Sequence, residues 1–200
     1  MRRNFSQVPV GDRLVDAMRL LASGVCVITA GRKPARTGYT GTAVFSLSVE
    51  PERILISVAR NSSSFAAIRN GGFFGLNVLR SDQQAIADRF AGRGGVKGEA
   101  RYDGAEWATS SSGASLLIGA LANAECAVEE ILERHSHALI IGEPRSIVTD
   151  PDADALIFWR SSYAAAAAAR GGADRDCAQR QKAGGDSRER IDSLINRLYL

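Results

Sequence analysis

From Gly38 to Leu79 the chain passes through three strand-like segments and one short helix with almost no spare residues: GYTGTAVFSLSVEPERILISVARNSSSFAAIRNGGFFGLNVL. A hydroxyl-rich strand carries Thr40, Thr42, Ser46 and Ser48, and after the turn at Pro51 and Glu52 a β-branched strand from Arg53 to Ala59 reads as largely buried. Arg60, Asn61, Ser62, Ser63 and Ser64 then open a helix whose inner face is Phe65 and Ile68, and Gly71-Gly72 ends it. An apolar strand closing at Asn77 follows. The first-turn N–H groups of a helix lack intrahelical partners and sit at its positive end, so a loop of neutral donors there suits an anion. A phosphate-bearing cofactor is the expected ligand, although the same serines can equally do nothing but cap.

The flanks are simpler. Asp12 can cap a helix with Leu14, Val15, Met18, Leu21 and Ala22 on one face and Gly24 at its end, so this helix is expected to cover the sheet. VCVITA is a strand, and GRKPARTG a polar turn whose cations Arg32, Lys33 and Arg36 read as a solvated hairpin loop in preference to holders of a nucleotide phosphate. Ser81 with Gln84 has capping-box spacing ahead of the helix DQQAIADRFAG. Residues 93–114, rich in Gly, Ser and charge, read as a long irregular excursion, which is uncommon unless functional or mobile. Strand-like LLIGALANAECAVEEILE, ALIIGEPRSIVTD and ALIFW follow, with RHSH as a turn. The sum is a mainly β chain with helices, an α+β fold built on an antiparallel barrel. Its main domain spans 1–163; residues 164–200 form an alanine- and glycine-rich linker and an amphipathic helix striped by Ile191, Leu194, Ile195 and Leu198.

Composition narrows the function classes. A net charge of +3 with scattered arginines does not make a nucleic-acid protein. No apolar run approaches the roughly 18 residues of a membrane span, and the basic start lacks an apolar signal core, so a cytoplasmic setting is expected. Cys26, Cys126 and Cys177 are too far apart for a zinc site or redox pair; Cys26 and Cys126 lie in strand-like runs and read as buried, inert thiols. The two histidines, His135 and His137, have no partner at metal-ligand spacing, and no metal site is expected. There is no GxSxG elbow, and no GxGxxG loop to hold a dinucleotide in Rossmann fashion.

TGTAVFSLS, ARNSSSFAAIRNGGFFGLNVL, QQAIADRFAG and the histidine before the strand in SHALIIGEP occur in an order that resembles the flavin reductase family, across residues 14–163. The resemblance implies an FMN-binding split β-barrel with peripheral helices, commonly a homodimer, that holds FMN or FAD and takes electrons from NADH or NADPH. By the same resemblance Thr42, Ala43 and Val44 lie along the flavin ring edge and Ser46 near the ribityl chain. Thr40, Asn61, Ser62, Ser63, Ser64 and Phe65 complete the flavin site, and Arg89, Phe90 and Ala91 approach it at the end of their helix. His137 abuts the nicotinamide, with Tyr163 beside the same substrate, and no protein acid or nucleophile is required. Electrons then pass to a monooxygenase component or, in some similar proteins, to the cobalt of a corrinoid. A non-catalytic flavin- or haem-binding split barrel is the alternative of another class.

Overall fold

The structure is a computed structural model that describes residues 10–150 and 152–167. In chain order the elements are α1 (Val10–Arg19), β1 (Ser23–Gly24), β2 (Cys26–Ala30), β3 (Thr37–Gly41), β4 (Val44–Val49), β5 (Glu52–Ala59), α2 (Ser63–Gly71) and β6 (Phe73–Val78). They continue as α3 (Gln84–Phe90), β7 (Trp107–Thr109), β8 (Ser115–Leu117), β9 (Ala122–Arg134), β10 (His137–Thr149), β11 (Ala155–Trp159) and β12 (Ser162–Ala166).

Seven strands form one antiparallel sheet in the order β3-β2-β6-β9-β10-β5-β4. Its two edge strands, β3 and β4, are consecutive in sequence and joined only through Thr42 and Ala43. Such a link reaches roughly 10 Å. A flat sheet would hold its outer strands several times farther apart at about 4.8 Å per strand. The sheet must therefore curl until its edges nearly meet, which makes a barrel split between β3 and β4. Tyr39 spans the split, its hydroxyl donating to the Ser57 carbonyl at 3.0 Å.

Side chains segregate into two cores. Inside the barrel, Ile28, Ile56, Val58, Phe74, Cys126 and Ile140 pack together, and α2 plugs them with Phe65 and Ile68. Outside, Val25 and Val27 on the other face of the β2 segment meet Ile86, Ala87 and Phe90 of α3, together with Tyr102, Leu117 and Leu156. Burying each large apolar side chain contributes on the order of 1.5–3 kcal/mol. Cys26 and Cys126 are free and buried, and burial pushes both thiols up to about 12, which removes the thiolate that reactivity requires.

Several expectations need correction. Helix α1 starts at Val10, ahead of Asp12, and ends at Arg19, well before Gly24, which instead pairs in β1 with β11. It does not cover the barrel: Leu14, Val15, Met18 and Leu21 are each more than half exposed. Among the described residues the helix is anchored at its end, where the Trp159 indole donates to the Leu20 carbonyl at 3.1 Å and the Arg160 amide to the Arg19 carbonyl at 2.8 Å. Strand β5 is not largely buried; Ile56 and Val58 are, while their neighbours are partly open, because β5 lies one strand from an antiparallel edge with one face inward. The cap ahead of α3 is shifted: the Gln83 side-chain oxygen, not Gln84, accepts from the Arg80 amide at 3.0 Å. The strand after Trp159 runs past Tyr163, with Ala164, Ala165 and Ala166 paired to Ile157, Leu156 and Ala155. Cys177 and the stripe from Ile191 to Leu198 lie outside the described residues. Among the described residues no helix is long and apolar enough to cross a membrane.

Candidate functional site

The segment 93–114 is no loose excursion. Phe90, Tyr102 and Trp107 form an aromatic trio with centroid separations of 5.0, 5.4 and 4.9 Å. The Tyr102 hydroxyl donates to the Thr37 carbonyl at 2.5 Å, and the Trp107 indole to the Tyr102 carbonyl at 3.0 Å. Aromatic pairs of this kind add about 0.5–1.5 kcal/mol beyond the area they bury. They hold the segment against β3 as a strap. Farther along, Glu125 fastens its second half, accepting from the Ser112 amide at 2.7 Å and the Ser111 hydroxyl at 3.1 Å. Burial alone would push the Glu125 carboxyl up, but hydrogen bonds from Ser110, Ser111 and Ser112 outweigh it and hold the group below the usual carboxylate range.

Between this strap, β3 and the N-terminus of α2 lies a cavity of about 850 Å³, at the upper end of the usual size for small-molecule sites. Thr40, Asn61, Ser62, Ser63, Ser64, Phe90 and Ala91 line it. Ser62 is the cap: its hydroxyl donates to the Ala59 carbonyl at 2.7 Å and accepts from the Phe65 amide at 3.1 Å. Its single proton is spent on Ala59, so the hydroxyl does not also donate to an anion and Ser62 acts on a phosphate through the turn it holds. Ser63 hydrogen-bonds Thr37 hydroxyl to hydroxyl at 2.9 Å, and Thr40 donates to the Ala87 carbonyl at 2.6 Å. The first-turn amides of Ser63 and Ser64 have no intrahelical acceptor, which leaves them for an anion in the cavity. At the other end of α2, Gly72 at φ 70° sends its amide to the Ile68 carbonyl at 2.8 Å, a left-handed cap that glycine adopts without steric cost.

Lys97, Gly98, Glu99 and Arg101 line the same cavity with Arg36 and Tyr39; of these the sequence offers only Arg36, as the less favoured holder of a nucleotide phosphate, and sequence reasoning missed the others. Arg36 is not a solvated loop charge. It is 8 % exposed, lies 3.8 Å over the Tyr102 ring, and donates through Nε to Glu99 at 2.8 Å and through Nη1 to Ser115 at 3.2 Å. Arg32 likewise donates to the Ser112 carbonyl at 2.8 Å and covers the Phe73 ring at 4.7 Å. Arg101 ties the strap to β3 by donating to the Gly38 carbonyl, while its Nε donates to Val96 at 3.2 Å. The close approach of β3 to α3 explains Gly38, where an added Cβ would stand 2.6 Å from the Ile28 carbonyl oxygen and 2.7 Å from the Phe90 ring.

The remaining expected residues sit elsewhere. Thr42 and Ala43 form the link across the split, and the Ala43 carbonyl accepts from the Ser57 amide at 3.1 Å. Val44 and Ser46 face a separate, shallow groove of about 310 Å³ with Phe45, Ile54, Leu76 and Ile147. Phe65 is buried in the barrel core and touches neither space. Arg89 points to the strap, donating to the Ala100 carbonyl at 2.5 Å. His137 begins β10 opposite Ala59, exposed, with Nδ1 2.9 Å from the Ser136 hydroxyl. Its hairpin borders the loop before α2: the Arg60 amide donates to Ser136 at 3.0 Å and the Arg60 guanidinium to His135 at 3.0 Å. His135 has φ 49° in that turn, so the two histidines do not share a strand face. Tyr163 lies on β12 against Phe158, with Arg93 5.4 Å over its ring; burial, with Asp88 adding, pushes its phenol up. No group of three or more potential metal ligands occurs among the described residues.

Comparison with known proteins follows the same outline. The family described as flavin reductase like domain matches residues 18–167. The chain is 32 % identical over 159 residues to the actinorhodin polyketide dimerase of Streptomyces coelicolor, covering 79 % of this chain and 88 % of that one. It is 30 % identical over 148 residues to the 4-hydroxyphenylacetate 3-monooxygenase reductase component of Pseudomonas aeruginosa, covering 74 % and 87 %. The NADH:FAD oxidoreductase of Streptomyces globisporus superposes with a TM-score of 0.73 at 25 % identity, covering 84 % of this chain and all (100 %) of that one. A split barrel, a helix mouth aimed into its cavity and a match spanning nearly every described residue place this chain in the flavin reductase family.

Proposed function

We propose that this protein is an NAD(P)H-dependent flavin reductase that binds FMN or FAD and delivers electrons to a separate acceptor. The observation that carries the reading is the opening of the α2 first turn, Asn61 to Ser64, into the cavity beside Thr40, Phe90 and Ala91 within a chain of this family. The donor set fits a flavin phosphate: two first-turn amides without intrahelical acceptors, the cap held by Ser62, and the cations Lys97 and Arg101 on the facing wall. A bound flavin supplies the redox chemistry, accepting a hydride equivalent from reduced nicotinamide and yielding electrons onward. The chain's work is placement. Ser62 fixes the turn that meets the phosphate, Tyr39 braces the split beside which Thr42 and Ala43 meet the ring edge, and His137 orients the nicotinamide from the hairpin next to that loop.

A second copy of the chain would cover the groove beside β4. Phe45 and Ile147, 56 % and 57 % exposed, line it, apolar surface that a homodimer removes from water. The electron acceptor is a monooxygenase component, by analogy with the relative that bears that role in its name. Buried free cysteines suit a reducing cytoplasm.

The direct test follows NADH oxidation by its near-ultraviolet absorbance, with and without added FMN or FAD. Turnover that depends on flavin is the expected result. A rate that no flavin changes, in protein that retains no pigment, would falsify the assignment.

A further inference from the structure

We propose that Thr37 is a positioning residue for the flavin phosphate: its hydroxyl holds the Ser63 side chain so that the Ser63 proton is turned to the anion. The proposal rests on the flavin reading above and deepens it at one pair of hydroxyls.

Ser63 is the first residue of α2, lines the cavity and is exposed there. A serine in that position has three staggered rotamers and a ready local alternative, a bond back to a preceding carbonyl. Ser62 takes that alternative, donating to the Ala59 carbonyl at 2.7 Å. The Ser63 hydroxyl lies instead 2.9 Å from the Thr37 hydroxyl on the facing strand.

Thr37 is the rigid member of the pair. It is 5 % exposed, it pairs with Ala30 in the ladder between β2 and β3, and its carbonyl accepts from the Tyr102 hydroxyl. Tyr102 is itself buried, with the Arg36 guanidinium 3.8 Å over its ring. A β-branched side chain on a strand so fixed has little rotamer freedom. The strap, through Tyr102, therefore sets where the Thr37 hydroxyl stands, and Thr37 sets where Ser63 stands.

Each hydroxyl has one proton and can accept two bonds, so geometry alone lets the bond between Thr37 and Ser63 run either way. A phosphate fixes the direction, because its charged oxygens accept and the one proton of Ser63 goes to them. Ser63 then accepts from Thr37, whose hydroxyl makes no other hydrogen bond among the described residues. Two hydroxyls in series polarise one another, and the outer becomes the better donor. Without the Thr37 hydroxyl, Ser63 is left to the local alternative that Ser62 already shows.

The probes are FMN and riboflavin, which share the ring and ribityl chain and differ by the phosphate alone. Their dissociation constants are measured by quenching of flavin fluorescence for the whole chain, for Thr37→Val, Thr37→Ser and Ser63→Ala, and for Thr37→Val combined with Ser63→Ala, with the urea midpoint as a check on folding. Thr37→Val should weaken FMN about fivefold, the worth of one hydrogen bond to the anion, and leave riboflavin within about twofold. Thr37→Ser, which keeps the hydroxyl, should restore FMN. The double variant should bind FMN no more weakly than Ser63→Ala by itself, because Thr37 acts only through Ser63. Equal losses of FMN and riboflavin in Thr37→Val overturn the proposal. So do an FMN constant that Thr37→Val leaves unchanged, a serine variant as weak as the valine one, and losses that add in the double variant. If valine prevents folding, Thr37→Ala takes its place under the same outcomes. Riboflavin bound as tightly as FMN by the unaltered protein removes phosphate recognition from α2 and the proposal with it. Binding of neither flavin removes the reductase reading itself, a failure separate from the rest.

Discussion

The cavity at the mouth of α2 and the groove beside β4 lie on the two sides of one split in one sheet, yet they are finished differently. The chain closes the cavity with its own strap, aromatic packing and a buried arginine, and lines it with hydroxyls, amides and cations. It leaves the groove shallow, with Phe45 and Ile147 more than half exposed along it. Phosphate recognition needs fixed donors, since a misplaced hydrogen bond forfeits most of its worth, and a monomer can build that rigidity within itself. Apolar contact is non-directional and tolerates a surface supplied by another molecule. The division predicts that changes on the cavity side act on folding and ligand binding, and changes on the groove side on association.

The largest expected effect comes from Gly38→Ala, which forces a methyl group against the Ile28 carbonyl and Phe90 under the cavity. It should cost about 1–3 kcal/mol of stability, read as a lowered midpoint in urea. Phe45→Ser on the groove side should leave the monomer's unfolding free energy nearly unchanged and shift the mass by light scattering from dimer toward monomer. Equal destabilisation by both would erase the contrast between the two regions.

His137 belongs to neither space, which makes it a sharper probe. Replacing it with alanine should slow the second-order reduction of bound flavin by about ten- to a hundredfold, or about 1.4–2.7 kcal/mol, with flavin affinity preserved. Anaerobic stopped-flow reduction measures the rate. An unchanged rate would remove the imidazole from the nicotinamide site, and a rate lost together with flavin binding would make His137 part of the flavin site instead.

Ser62→Ala comes next, at about 1 kcal/mol. Because its hydroxyl caps α2 instead of facing the cavity, the change should weaken flavin and lower stability together, about fivefold in the dissociation constant, whereas Ser46→Ala should alter neither by more than twofold. Flavin affinity that falls with the melting point intact would mean that the hydroxyl contacts the ligand directly.

The smallest effect is the pH dependence from Glu125. Its carboxyl is held below the unfolded value, so the stability it contributes is present above about pH 4.3 and is lost as pH falls through its folded pKa. Glu125→Gln should therefore flatten the acid limb of stability against pH. An acid limb identical in the two proteins would show that the hydrogen bonds from Ser111 and Ser112 do not favour the ionised form.

The α2 loop was readable because a cap, a buried face and a terminating glycine pair are local signals: Phe65 with Ile68 and Gly72 act within one or two turns, while the cap, open between Asn61 and its neighbouring serines, is Ser62 in the structure. What the sequence hid depends on partners far along the chain. Arg36 looks like a loop charge until Glu99 and Ser115 come alongside it. The strap looks structureless because glycine, serine and charge dominate its composition, and only Tyr102 and Trp107 hint at an anchor. Lys97, Glu99 and Arg101 carry no motif at all. The α1 periodicity was legible as a helix, but an apolar stripe does not say whether its partner lies in the same chain, and Leu14, Val15 and Met18 find none among the described residues. Tyr163 was placed beside the nicotinamide by resemblance, and its strand lies in the separate sheet of β1, β11 and β12.

The buried cysteines have a practical consequence. Cys26 and Cys126 lie on β2 and β9, which flank β6 on its two sides, and neither thiol meets reagent while those strands stay paired. In a Cys177→Ser background, the rate at which a thiol-specific dye labels the protein becomes a clock for barrel opening, with no probe introduced into the core. Saturating flavin should slow that clock by the factor by which it stabilises the closed barrel, so the same measurement that times the opening also weighs the ligand.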